Sequence, residues 1–150
     1  MQIKGDQLLS GPPEVVYEQL MDPEILAKAI PGCKALNKVA ENKYQGELEL
    51  GVAAIKGHYV GEVEIRDPQP PNRYVMAVSG QGGPGFVNAE LNFTLTPHGN
   101  DTSLYYEGEA QVGGKIAGVG QRMLGGVAKM IAKQFFSAMS KAIAAQEKTQ

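Results

Sequence analysis

The stretch Ser79–Phe93, SGQGGPGFVNAELNF, decides between two fold classes. Gly80, Gly82 and Gly85 reproduce the G-x-G-x-x-G pattern of a dinucleotide-binding loop, which requires a strand before the glycines and a helix after them. The residues after Gly85 instead alternate between apolar and polar side chains, as in a half-buried strand, and Pro84 does not fit a helix interior. We therefore predict a turn between two antiparallel strands and no dinucleotide site.

The composition is that of an ordinary globular domain. The 150 residues include 43% hydrophobic and 20% charged residues, with a net charge of -2. Cations scattered among as many acids argue against a nucleic-acid partner. The first residues lack the apolar region of a secretory signal, and no run approaches the roughly 18 apolar residues of a membrane span. We expect a single domain, residues 1–150, that is soluble and cytoplasmic.

Candidate catalytic and metal-binding groups are scarce. Cys33 is the single cysteine, and His58 and His98 are the only histidines, so no zinc ligand set is expected. Acids such as Glu47 and Glu49 are spaced by two, which places both on one face of a strand, opposite the predicted core. The sequence therefore predicts no catalytic residue and no metal site.

The order of the predicted elements indicates an α+β architecture. Two short helices follow the first strand, with Ser10 expected to cap the first and Asp22 the second. Six further strands are separated by turn residues and predicted at about residues 33–40, 43–55, 57–67, 72–80, 86–97 and 102–114. From about Ile116 to Gln146, apolar residues recur at spacings of three and four, which predicts a long terminal helix. Such a helix crosses the whole domain, so we expect a curved antiparallel sheet of about seven strands wrapped around it.

Several glycines lie where core side chains are expected. Gly46, Gly61, Gly80 and Gly108 all fall on the inward phase of their strands. Missing side chains there leave volume for a ligand cavity, or they let a strongly curved sheet bend, and these two interpretations are compatible. The predicted lining residues come from the strands, the turn and the terminal helix: Tyr44, Leu48, Tyr59, Gly61, Val63, Met76, Phe86, Leu91, Phe93, Tyr106, Gly108, Met123, Val127, Met130 and Ile131.

Two kinds of residue are expected to adapt to a ligand. Phe86, beside the glycine-rich turn, is placed in sequence to close over a bound hydrophobic molecule. Met123 and Met130 on the terminal helix have flexible thioethers that can fit a variable ligand, although an ordinary structural role is the more common one for methionine.

A family resemblance is carried by three segments: DPEILAKAIPGCKAL (Asp22–Leu36), GQGGPGFVNAEL (Gly80–Leu91) and YEGEAQVGGKIAGVGQRMLGGVAKMIAKQFF (Tyr106–Phe136). Together they resemble the carbon monoxide dehydrogenase G-subunit family over about residues 1–145. The resemblance implies the helix-grip fold of the polyketide-cyclase and START-like superfamily. Its motif positions are assigned to shape and entrance, and it supplies no catalytic residue: Pro31, Gly32, Cys33, Gly113, Gly114, Gly120, Gln121 and Arg122.

The resemblance also implies a function. Proteins of this family are expected to serve a molybdenum hydroxylase of the carbon monoxide dehydrogenase type and to handle an isoprenoid quinone at the membrane. Our main hypothesis is a non-catalytic accessory subunit with a bound quinone or other lipid and no further cofactor. One alternative is a small cyclase or aromatase-type enzyme using the same cavity, because a fold does not determine function. A second is an interaction subunit with a packed core.

Membrane contact is expected to be transient. The near-zero net charge gives little attraction to anionic lipids, and stable attachment usually requires two signals. The chain after Phe136 ends in polar residues, whereas many relatives are expected to carry an attachment tail. We therefore expect a cytoplasmic protein that is at most peripheral at the inner face of the membrane.

Overall fold

The computed structural model describes residues 1–52 and 55–149, with side chains up to residue 145. One strand, two short helices, six strands and a terminal helix follow each other, which confirms the predicted order. The elements are β1 (Gln2–Leu9), α1 (Pro13–Met21), α2 (Pro23–Ala29), β2 (Asn37–Ala40), β3 (Lys43–Leu50), β4 (Gly57–Gln69), β5 (Arg73–Gly82), β6 (Gly85–His98), β7 (Asp101–Gly113), a 3-10 helix (Lys115–Val119) and α3 (Gln121–Thr149).

The strands form one antiparallel sheet in the order β1-β7-β6-β5-β4-β3-β2. Strands β5 and β6 form a hairpin in which Gly82 pairs with Gly85. Gly85 has a φ of 141°, a conformation that favours glycine. The glycine-rich stretch is thus a turn between two antiparallel strands, as the alternation after it predicted.

Helix α3 begins at Gln121, later than the apolar periodicity predicted. Lys115–Val119 instead form a 3-10 helix that ends at Gly120, whose φ is 91°. The 29 residues of α3 extend over roughly 44 Å at about 1.5 Å per residue. Its main backbone neighbours are α2, β1, α1 and the 3-10 helix. Among the described residues, no helix is long and apolar enough to cross a bilayer.

The two short helices differ in how they begin. The Asp22 carboxylate accepts a hydrogen bond of 2.9 Å from the backbone N–H of Glu24, which caps α2 as predicted. Helix α1 begins after Pro12 without a side-chain cap, so the expected capping by Ser10 is wrong. Proline at the start of α1 lacks one of the N–H groups that a cap would satisfy.

Six aromatic rings in continuous contact join α1, the sheet and α3. The ring centroids lie 5.6 Å apart for Tyr17 and Tyr74, 4.8 Å for Tyr74 and Phe93, 6.0 Å for Phe93 and Tyr106, 5.4 Å for Tyr106 and Phe136, and 5.1 Å for Phe136 and Phe135. Each such pair contributes about 0.5–1.5 kcal/mol beyond its buried area. We call this set the aromatic ladder, and it fixes the C-terminal half of α3 on the sheet.

Helix α2 has a side-chain cap and helix α1 has none, which gives a first prediction. Replacing Asp22 with Ala removes the acceptor at the start of α2 and is expected to lower the free energy of unfolding by about 1 kcal/mol. Ser10→Ala is the matched control and should leave stability unchanged, because Ser10 caps no helix. Urea denaturation of both variants measures the difference. Equal losses would contradict the assignment of the two helix starts.

Candidate functional site

Small residues occupy the centre of the inner sheet surface. Gly46 pairs with Gly61, Gly61 with Gly80, and Gly80 with Val87, so a row of three glycines crosses β3, β4 and β5. The adjacent row also lacks large side chains and contains Val63, Val78, Ala89 and Ala110. The inner face of the sheet therefore carries little side-chain volume here.

Two of the predicted inward glycines are explained by close backbone approach. A Cβ atom at Gly108 would overlap the carbonyl oxygen of Glu90 on β6. A Cβ atom at Gly46 would overlap the carbonyl oxygen of Ala35. At these positions glycine lets another part of the backbone come close, and it leaves no free volume.

The other two inward glycines differ from each other. At Gly61, an added Cβ would lie 2.6 Å from Cδ1 of Leu48, so the Leu48 side chain fills that volume. At Gly80, an added Cβ would have no neighbour within 4 Å. Gly80 is thus the inward glycine that faces open space.

Helix α3 forms the opposite wall, and the buried residues beneath it form two separate clusters. The main cluster includes the aromatic ladder residues Phe93 and Phe136. The second cluster lies around Ile116 and Leu124, and half-buried Ile131 packs against it. Val78 packs against the main cluster and Val87 against the second, and both neighbour Gly80 on the inner sheet surface, so this junction beneath α3 is the candidate site.

A shallow surface pocket adjoins the second cluster. It has a volume of about 440 Å³ and is lined by Gly83 and Pro84 of the β5–β6 turn and by Lys115 and Ile116 of the 3-10 helix. Ile116 is also a buried member of the second cluster. The turn and the 3-10 helix therefore border one end of the candidate site.

The polar groups of the interior are mostly tyrosine hydroxyls. The Tyr59 hydroxyl donates a 2.6 Å hydrogen bond to the carbonyl oxygen of Ile55, and burial raises the Tyr59 pKa. Burial, and then the charge of Asp6, raises the pKa of Tyr106. Burial also raises the pKa of Tyr74. These hydroxyls stay neutral at physiological pH and can form hydrogen bonds, but they do not supply a base.

Other reactive groups are not activated. Burial raises the pKa of the Cys33 thiol, whose Sγ lies 3.7 Å from the carbonyl oxygen of Ala35. A raised pKa disfavours the nucleophilic thiolate. Over residues 1–52 and 55–145, no group of three His, Cys, Asp or Glu residues could hold a metal ion.

Most of the residues predicted to line a cavity do lie on the inner side. Buried members of this set are Tyr59, Gly61, Val63, Met76 and Phe93, and half-buried members are Tyr44, Leu48, Leu91, Tyr106, Gly108, Val127 and Ile131. Of these, Val63, Met76 and Phe93 belong to the main cluster. Val127 and Ile131 pack against the second cluster. Leu91 and Tyr106 pack against the main cluster.

Three predicted lining residues lie outside the interior. Phe86 is 43% exposed, Met123 56% and Met130 37%. Phe86 is one of the outward-facing residues of β6. Its ring lies so close to Gly113 that a Cβ atom there would overlap it. The alternation that places Leu91 inward also places Phe86 outward, so the sequence contained the signal for this correction.

Several interior residues were missing from the predicted set. The predicted set omits Gly80, which the strand alternation places inward, and it also omits Val87, Val112 and Phe135. Val87 and Val112 share the inward phase of Leu91 and Tyr106. Phe135 follows Ile131 by four residues on α3, so the helical period could have identified it.

Comparisons with known proteins agree with this architecture. The model of the family described as the G subunit of carbon monoxide dehydrogenase (CoxG) matches residues 5–144. A conserved protein from Geobacillus kaustophilus, whose structure is solved, is 48% identical with a TM-score of 0.94, covering 97% of this chain and 96% of that chain. No protein of curated function matches the chain.

More distant solved structures show the same fold. A START superfamily protein from Mycobacterium smegmatis is 16% identical with a TM-score of 0.75, covering 97% of this chain and 98% of that chain. A protein from Thermus thermophilus is 15% identical with a TM-score of 0.72, covering 97% and 99%. The expected helix-grip, START-like architecture is therefore confirmed.

The contrast between the inward glycines gives a second prediction. Gly108→Ala should lower the free energy of unfolding by about 1–3 kcal/mol, because the new methyl group overlaps the Glu90 carbonyl. Gly80→Ala should keep or slightly raise stability, since alanine suits a strand interior better than glycine by about 0.5–1 kcal/mol. Chemical denaturation checks both. A large loss at Gly80 would show that its surroundings are filled.

Proposed function

We propose that this chain, which belongs to the carbon monoxide dehydrogenase G-subunit (CoxG) family, is a non-catalytic accessory protein that binds a hydrophobic ligand between α3 and the inner sheet surface. One observation carries the proposal. An added Cβ at Gly80 would meet no atom within 4 Å, and Gly80 neighbours Val78, which packs against the main cluster, and Val87, which packs against the second. An apolar ligand there would complete the core and remove half-buried surface from water.

The ligand class and the partner follow from the lining and the family. We assign the site to an isoprenoid quinone or a similar lipid, because Val78, Leu91, Ile131 and Phe135 offer apolar contacts along it. The family name supports a molybdenum hydroxylase of the carbon monoxide dehydrogenase type as the partner. In this proposal the protein works at the inner face of the membrane and passes its ligand to or from the partner.

The chemistry of the lining favours binding over catalysis. A cyclase-type reaction requires a positioned acid and base with pKa values near the working pH. The inner-face hydroxyls of Tyr59 and Tyr106 have raised pKa values instead. We therefore place the enzyme alternative second.

Filling the open position tests the binding proposal. Gly80→Leu should weaken the binding of a long-chain menaquinone by about tenfold or more, because the leucine occupies space that the ligand would use. Ala40→Leu is the control, since Ala40 is exposed on edge strand β2, outside α3 and the inner sheet surface. Binding is measured by equilibrium titration and by mass spectrometry of lipids extracted from the purified proteins.

The outcomes separate the candidate functions. A co-purified lipid at near-equal stoichiometry that is lost only in Gly80→Leu supports the carrier. Equal binding by the wild type and Gly80→Leu would refute the assigned site. Turnover of a polar metabolite by the wild type would favour the enzyme alternative.

A further inference from the structure

The charges of this chain are segregated along the sequence. Between Ala110 and Gln146 there is no Asp or Glu, and the segment contains five cations: Lys115, Arg122, Lys129, Lys133 and Lys141. All five are exposed. Among the residues with described side chains, no ion pair includes any of them, whereas Lys38, Lys43 and Arg66 are paired with glutamates. The net charge of -2 is an average over the whole chain. The segment between Ala110 and Gln146 is basic by itself.

Helix α3 places these cations on one side. Arg122, Lys129 and Lys133 are spaced by seven and four residues, which aligns them on the side of α3 opposite buried Leu124. Met123 and Met130, also seven residues apart, lie beside them and are 56% and 37% exposed. We call these five residues the α3 outer face.

We propose that the α3 outer face docks onto a lipid bilayer with anionic head groups. Peripheral attachment usually requires two signals, and this face carries both: unpaired cations for the head groups, and exposed methionines for the apolar boundary beneath them. A purely acidic protein surface would match the cations but would leave Met123 and Met130 without an apolar environment. The inference rests on the proposed function only in that the bilayer is the source of the hydrophobic ligand.

The position of the surface pocket fits this orientation. Lys115, which belongs to the same acid-free segment, lines this pocket between the β5–β6 turn and the 3-10 helix. Docking through α3 and the 3-10 helix would therefore bring the pocket near the lipid surface. The outer face of the sheet carries Glu62, Glu90 and Glu109, so an anionic bilayer repels that side and favours the same orientation.

Matched charge variants test the docking surface. The triple variant Arg122→Gln, Lys129→Gln, Lys133→Gln should partition about 100-fold less onto vesicles of phosphatidylcholine with phosphatidylglycerol, given the contribution of each cation near an anionic surface. The control triple Lys4→Gln, Lys28→Gln, Lys34→Gln removes the same charge from exposed positions outside α3 and the 3-10 helix and should bind like the wild type. Met123→Ser with Met130→Ser should weaken binding while keeping its salt dependence.

Vesicle sedimentation of the full chain gives clear outcomes. Strong wild-type binding to anionic vesicles, weak binding to pure phosphatidylcholine and a selective loss in the α3 triple support the proposal. Equal losses in both triples, equal binding to neutral and anionic vesicles, or no binding would overturn it. Binding to an acidic protein partner without vesicle binding would overturn it as well.

Solution measurements keep this test separate from the proposed function. Thermal unfolding shows that each variant is folded, and menaquinone titration in detergent shows that the interior is intact. Vesicle docking without menaquinone binding would refute the proposed function and leave the docking surface standing. Menaquinone binding without vesicle docking would refute the docking surface and leave the proposed function standing.

Discussion

The contact between α3 and the sheet through the aromatic ladder is the constraint on which the rest of the structure depends. Tyr74, Phe93 and Tyr106 are cross-strand neighbours on β5, β6 and β7, and Phe136 of α3 stacks on the last of them. Large rings at this end of the strands fill the distance between helix and sheet. They fix the C-terminal half of α3 and thereby determine where its N-terminal half can lie.

The size of the inward side chains falls along the same strands. After the aromatic row come Met76 and Leu91, then Val78 and Ala89, and then Gly80 opposite Val87. Because α3 is a rigid rod anchored at the aromatic end, it cannot follow this decrease toward the sheet. Val78, Val87 and Val127 near this end are half-buried, which lowers the stabilisation they provide until another apolar group covers them. The ligand proposed above would supply that cover.

The charged residues of the sheet and of α3 differ in sign. Outward positions of the strands carry glutamates, some of them held by Arg66 and Lys43. As far as Gln146, helix α3 carries lysine and arginine but no Asp or Glu. A net charge averaged over the chain cannot represent two faces of opposite sign, which is why composition alone suggested weak attraction to anionic lipids. Electrostatic interaction with a surface depends on the charges that face it within a Debye length.

The sequence by itself determined the order of elements, the faces of the strands and the apolar side of α3, because periods of two and about 3.6 are local properties of the backbone. It also contained the outward phase of Phe86, which the alternation around Leu91 required. It could not distinguish Gly61, Gly80 and Gly108, since all three share the inward phase. Only the tertiary structure showed that the Leu48 side chain covers Gly61, that Gly80 faces open space and that the Glu90 carbonyl lies against Gly108. Those contacts depend on register and sheet curvature, which bring together residues distant in the chain, and no local pattern encodes them.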